Sequence, residues 1–314
     1  MSIGRAVEEA GTRIAPYVRE TPVEWSAELG VWLKLEHLQH TGSFKFRGAS
    51  HRIALLTADE AAAGVVAASN GNHGMGVAAA AKARGIAAEV YVSEQVSPAK
   101  AARIEALGAR IRIGGTDPLS AELAARRDSE ASGRVFISPY NDRDVVAGQG
   151  TIGLELQRQL APLDAVFVAV GGGGLIAGIG GYLKHVSPAT EIVGCWAENS
   201  PVLCRCLEVG RIIDVPEQPT LSESTAGGLE PESVTLALCR GVIDRCVLVS
   251  EAQILDAMRR ALEAEHWLIE GAAAVALAAF VKEAPRYAGR KAAVVLCGRN
   301  LSPRVLRVFT DSLG

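Results

Sequence analysis

Six short runs rich in apolar and β-branched residues punctuate the chain: GVVAAS (64–69), EVYV (89–92), RIRI (110–113), AVFVAV (165–170), EIVGCW (191–196) and AAVVLC (292–297). Most are continuous instead of alternating, as strands buried on both faces require. Between them lie Ala-rich stretches with helical spacing over 74–84, over 98–107 with Gly108 as a stop signal, and from Leu175 onward. Strands alternating with helices predict βαβ units with right-handed crossovers, and so an α/β fold. The runs fall into two series, one over 64–113 and one from Asp164 onward. The most polar interval, 129–144 with Pro139, Asn141 and Asp142, is the expected crossing between two lobes; the other lies just after Lys45. Two such lobes leave a cleft, the usual place for a ligand. No internal repeat or low-complexity tract interrupts the pattern.

Composition narrows the partners. The 314 residues suit one large or two modest domains, and 49% apolar with 21% charged residues excludes a disordered or fibrous chain. The few aromatics (6 Phe, 4 Trp, 5 Tyr) leave an interior of Ala, Val, Leu and Ile. A net charge of −3 without a long run of one sign gives no nucleic-acid footprint and no polybasic membrane patch, so a small-molecule partner is expected. Residues 1–11 carry Arg5, Glu8 and Glu9 and no apolar core of a secretory signal, which predicts a cytoplasmic protein. The uncharged stretch 165–183 holds seven glycines, so it reads as strand, turn and helix start, not as a membrane span. The six cysteines are expected to be reduced and buried, and the lone CxC of Cys204 and Cys206 predicts no zinc site.

Four turns carry candidate chemistry. Gly171–Gly174 follows a strand and opens a helix, where residues without Cβ let backbone N–H groups converge on an anion, phosphate above all. Gly172, Gly174 and Ala177 also fit the dinucleotide spacing GxGxxA, with Glu198 placed 26 residues after Gly172 for a ribose, so a nicotinamide oxidoreductase is an open alternative at this point. In TGSFKFRG (41–48) one lysine, Lys45, stands between two phenylalanines; a desolvated lysine is a carbonyl nucleophile, a solvated one only opens a helix. Ser69, Asn70, Gly71, Asn72 and His73 offer short polar side chains and free amides at another helix start, fit to clamp a carboxylate or simply to cap the helix. CGRN (297–300) ends the last strand with a thiol facing the cleft.

Taken together, TGSFKFRGA, SNGNHG, GGGGLIAG and CGRN resemble the core of the pyridoxal-phosphate enzymes of fold type II, the serine and threonine dehydratase family, over nearly the whole chain, from TPVEWSAEL (21–29) through KLEHLQHTGSFKFRGA (34–49) to residue 300. The resemblance implies a two-domain fold like the tryptophan synthase β subunit. Residues 1–48 and 144–314 would form a large cofactor-binding domain and 49–143 a small mobile one. It implies that Lys45 is the catalytic residue and holds pyridoxal 5'-phosphate covalently, that Gly171, Gly172, Gly173, Gly174 and Leu175 hold the phosphate, that Asn72 bonds the ring oxygen, that Phe44 packs on the ring and that Cys297 faces the pyridine nitrogen. The substrate carboxylate would dock on Ser69, Asn70, Gly71, Asn72 and His73. The reaction implied is β-elimination from a β-hydroxy L-amino acid such as L-threonine or L-serine, giving a 2-oxo acid and ammonia, in a homodimer or higher oligomer. A neutral thiol at the pyridine nitrogen would favour prompt loss of the β-substituent.

Departures from the family pattern refine the expectation. Relatives that racemise place a serine before GNHG; here it is Asn70, and an amide is no base. Relatives that bind a divalent cation place one acid where Glu198 stands and another where Cys204 stands, so no metal is expected. CGRN replaces the usual SGGN, putting the charge of Arg299 near the pocket, and TLSES (220–224) with STAGGLE (224–230) is similar to the hydroxyectoine-utilisation and phenylserine-type dehydratases. These act on larger β-hydroxy amino acids. Only 14 residues follow Asn300, so feedback by isoleucine through a tethered regulatory domain is not expected and a catabolic role is.

Overall fold

A computed structural model describes residues 2–313. Among them are the strands β1 (Val23–Ser26), β2 (Val31–Lys34), β3 (Val65–Ala68), β4 (Ala88–Ser93), β5 (Arg110–Gly115), β6 (Val135–Phe136), β7 (Ala165–Ala169), β8 (Glu191–Ala197), β9 (Arg245–Val249) and β10 (Ala292–Val295). A six-stranded sheet runs β1-β2-β10-β7-β8-β9 and is parallel except where β1 meets β2. A four-stranded sheet, β5-β4-β3-β6, is parallel throughout. Helices flank both, and each sheet has its own apolar core, so the fold is α/β as the alternating runs predict.

All six runs are strands, because their apolar residues have both faces of a sheet to fill; β4 and β7 are buried at every position. The edge strand β5 differs, with Arg110 and Arg112 turned outward, which blunts an unpaired edge. Of the other strands β9 carries the apolar run CVLV, whereas the hairpin β1–β2 and β6 lack a legible signal. The hairpin β1–β2 has four residues a side, and β6 has two.

Three expectations need correction. The interval 129–144 is not merely a crossing: it contains the end of the helix Pro118–Ser132 and β6, and the crossing shrinks to 137–142. The last strand stops at Val295, so Cys297 lies beyond it, where its carbonyl accepts the Phe44 N–H. Five cysteines are buried, but Cys246 on the edge strand β9 is exposed. No described helix is long and apolar enough to cross a membrane; the stretch 165–183 is β7, the glycine turn and most of the helix Gly174–Val186.

Candidate active site

Lys45 opens the helix Lys45–Ala54, and the chain just before it is stitched to the segment that follows β10 by the Phe44–Cys297 backbone bond and the Ser43–Gly298 bridge. The Lys45 ammonium donates to the Pro139 carbonyl at 2.8 Å and lies 5.2 Å from the Phe44 ring centre. Burial lowers its pKa to about 8, against the opposing pull of Cys297 and Glu270. The helix is fixed by Arg47, fully buried one half-turn on. Its guanidinium bonds both oxygens of Glu36 at 2.8 and 2.7 Å and both of Glu155 at 2.6 and 2.9 Å, and Lys34 joins the same Glu155. Burial, the largest influence, would raise the Glu36 pKa, but the Arg47 charge and hydrogen bonds, with Lys34 and the Thr21 hydroxyl, together outweigh it and hold the carboxyl below its usual range.

The cavity that receives Lys45 is also lined by Phe44, Asn72, Leu175, Cys297 and all four glycines 171–174. Gly173 caps the helix Gly174–Val186 with a φ of +87°, and a Cβ there would come within 2.7 Å of Leu203. Among the described residues no backbone acceptor takes the N–H groups of 171–175, so they and the helix dipole form an anion cradle. Cys297 is 2% exposed; burial, then the nearby Glu270, push its thiol far above the usual range and keep it neutral.

The 69–73 turn borders a cleft of about 530 Å³ that opens onto Lys45. The helix after it starts at Asn72, earlier than the expected 74, which places Asn72 and His73 in the first turn. Not all five amides are free, a correction to the sequence expectation. The Ser69 N–H is committed to the sheet through Tyr91, and the Gly71 N–H donates to the Ser69 hydroxyl at 3.1 Å. Those of Asn70, Asn72 and His73 meet no backbone acceptor among the described residues. The Asn70 side chain is locked on Ser93, donating to its hydroxyl at 2.7 Å and accepting its N–H at 2.9 Å. His73 points to the Ile137 carbonyl at 2.7 Å, so its Nε2 carries the hydrogen; burial and then the Lys45 charge lower its pKa to about 3, which leaves it neutral.

Sequence reasoning missed Glu270, Tyr140 and Ser224, which line the same cavity. Glu270 had a faint signal, a single acid before the apolar run GAAAVALAAF. Arg299, expected near the pocket, is exposed and borders an outer groove with His40 and Lys100 instead. Glu198 is exposed beyond β8 and does not line the cavity of the glycine turn, while Cys204 and Cys206 face separate partners, Glu208 and Ile213.

A half-buried amine of low pKa, an unsatisfied anion cradle and a buried neutral thiol around one cavity fit pyridoxal phosphate, which has an aldehyde, a phosphate and a pyridine nitrogen. The chain belongs to the pyridoxal-phosphate dependent enzymes, whose family model matches residues 14–298. It is 38% identical to an L-threonine ammonia-lyase of Thermotoga maritima over 98% of this chain and 78% of that protein. A catabolic L-threonine dehydratase of Staphylococcus aureus is 36% identical over 88% of this chain and 81% of its own length. Among solved structures, the processed form of threonine deaminase isoform 2 from Solanum lycopersicum superposes with a TM-score of 0.94 at 30% identity, over 99% of this chain and 93% of that one. Maize serine racemase gives 0.91 at 30% identity, over 99% and 97%.

Proposed function

We propose that this protein is an ammonia-lyase that removes water from a β-hydroxy L-amino acid, L-threonine or L-serine in the first instance, and releases a 2-oxo acid and ammonia. The observation that carries it is Lys45 sharing one cavity with the glycine cradle and the neutral Cys297. Relatives named for threonine dehydration or ammonia release support it. Pyridoxal phosphate, when bound, supplies the electron sink that acidifies the α-hydrogen and lets the β-substituent leave. Lys45 holds the cofactor and, once freed, moves the α-proton; the N–H groups of 171–175 hold phosphate; those of Asn70, Asn72 and His73 receive the substrate carboxylate. Racemisation is the weaker reading, because the Asn70 amide is bound to Ser93 and cannot take a proton.

The finer reading is a substrate larger than threonine, of the phenylserine or hydroxyectoine-derived kind. Ser224 and Ala226 of the STAGGLE segment wall the 530 Å³ cleft with small side chains. Oxo-acid production across a panel of serine, threonine and phenylserine tests both readings; no product from any of the three would overturn them. We further propose a homodimer or higher oligomer working in the cytoplasm, with the small sheet moving over the cleft; sedimentation of the purified protein checks the first.

Two outcomes follow from the site chemistry. With a Lys45 pKa of about 8, cofactor attachment to the apo-protein should speed up about tenfold per pH unit below 8 and level off above it, since only the neutral amine attacks a carbonyl. Stopped-flow absorbance over roughly pH 6 to 10 reads this. Cys297→Ser should keep activity within about threefold, both groups being neutral, whereas Cys297→Asp puts a carboxylate beside Glu270 and should lose more than about tenfold. Identical absorption spectra in all three proteins would place Cys297 away from the cofactor ring.

A further inference from the structure

Glu270 stands at the N-cap of the helix Gly271–Glu283, yet its side chain makes no capping bond to that helix. It is 4% exposed and turns inward, accepting the Asn72 Nδ2 hydrogen at 2.9 and 3.0 Å and the Asn300 N–H at 3.1 Å. The chain is shaped around it: Glu270 donates its own N–H to the Gly298 carbonyl, and a Cβ at Gly298 would sit 2.5 Å from Oε1. Burying an acid here is costly unless donors surround it. Burial raises the Glu270 pKa, and the Asn72 amide, the Asn300 N–H and the Ser224 hydroxyl oppose that shift. The Asn72 and Asn300 groups can only donate, which matches a carboxylate.

The partners of Asn72 leave its amide one orientation. Asn300 Nδ2 donates to the Thr41 carbonyl at 2.9 Å and to Asn72 Oδ1 at 2.6 Å, so the oxygen of Asn72 is fixed on the Asn300 side. Its nitrogen must then face Glu270. One Asn72 hydrogen is used there, and the second meets no protein acceptor among the described residues, although Asn72 lines the cavity beside Lys45.

We infer that Glu270 is a positioning residue: as an acceptor-only group it fixes the Asn72 amide so that one N–H remains for an acceptor oxygen of the cofactor. The inference rests on the reading of Asn72 as a cofactor contact and not on which amino acid is dehydrated. Gln at 270 keeps the shape but brings a donor into a shell of donors, so it should let the Asn72 amide turn.

The test is a double-mutant cycle on pyridoxal phosphate binding to the apo-protein, read by tryptophan fluorescence, with the absorption spectrum of the loaded protein and the apo melting midpoint recorded alongside. Glu270→Gln and Asn72→Ala are each expected to weaken binding about tenfold, the size of one hydrogen bond to a charged or polar group. The double variant should be no more than about threefold weaker than Asn72→Ala, with the visible band displaced in Glu270→Gln and the apo midpoint unchanged. Glu270→Asp, still acceptor-only, should bind more tightly than Glu270→Gln. Losses that multiply to about a hundredfold, a Glu270→Gln protein with wild-type affinity and colour, or Glu270→Asp weaker than Glu270→Gln would each overturn the proposal. Turnover is not read, so an enzyme with an unforeseen substrate still gives a decisive answer.

Discussion

Lys45→Ala is expected to abolish elimination, lowering turnover by about a thousandfold or more, because it removes both the covalent anchor and the proton-moving group. The fold should survive. The Lys45 ammonium makes one hydrogen bond, to the Pro139 carbonyl, and truncation leaves that one acceptor short, a cost of about 1 kcal/mol. Borohydride treatment should fix cofactor to the wild type and not to the variant, and circular dichroism should show the same helix content in both. Turnover within about tenfold of wild type, roughly 1.4 kcal/mol of barrier, would sink the assignment of Lys45.

The largest loss of stability is expected at Arg47, not at any cavity residue. Arg47→Met fills similar space but leaves Glu36 and Glu155 facing each other without the guanidinium that binds both. Breaking a buried pair in this way costs about 3–5 kcal/mol, a large part of the stability of an ordinary domain. The sign of the pH dependence follows from Glu36. Its pKa is depressed in the folded wild type, so its pairing contributes stability above the usual glutamate range and loses it as pH falls through the folded value. The gap between wild type and Arg47→Met should therefore be widest near neutrality and narrow on acidification. Urea unfolding at neutral and acid pH checks this; a gap that widens in acid would mean the network does not act through Glu36. Because Arg47 lies two residues after Lys45 on the same helix, the variant should also attach cofactor poorly.

The sequence was most informative where local chemistry and local structure coincide. GGGG between an apolar run and a helical stretch can hardly be other than a strand–turn–helix unit, and it is one, with Gly173 in the left-handed region. The buried strands announced themselves for the same reason: β7 needs apolar side chains on both faces and so leaves an uninterrupted run. The hairpin β1–β2 did not. β1 has Glu24 and Trp25 exposed, and β2, though largely buried, is only four residues long, so neither carries a pattern that a loop could not also show. β6 is held by two residues of pairing with β3 and has no pattern at all.

By itself the sequence determined the α/β class, the glycine turn between strand and helix, the Lys45 motif and the family they resemble, because each depends on residues near one another in the chain. Tertiary structure decided what depends on residues far apart. Glu36, Arg47 and Glu155 are three ordinary charges until the fold buries them together and makes each the counter-ion of the next. Glu270 meets Asn72 across 198 positions, and no spacing rule reaches that far. Folding also withdrew groups that the sequence offered: the Ser69 amide went to the sheet, the Asn70 side chain to Ser93 and the His73 ring to a carbonyl. A buried polar group must find a partner, and which partner it finds is fixed only when the chain has closed around it.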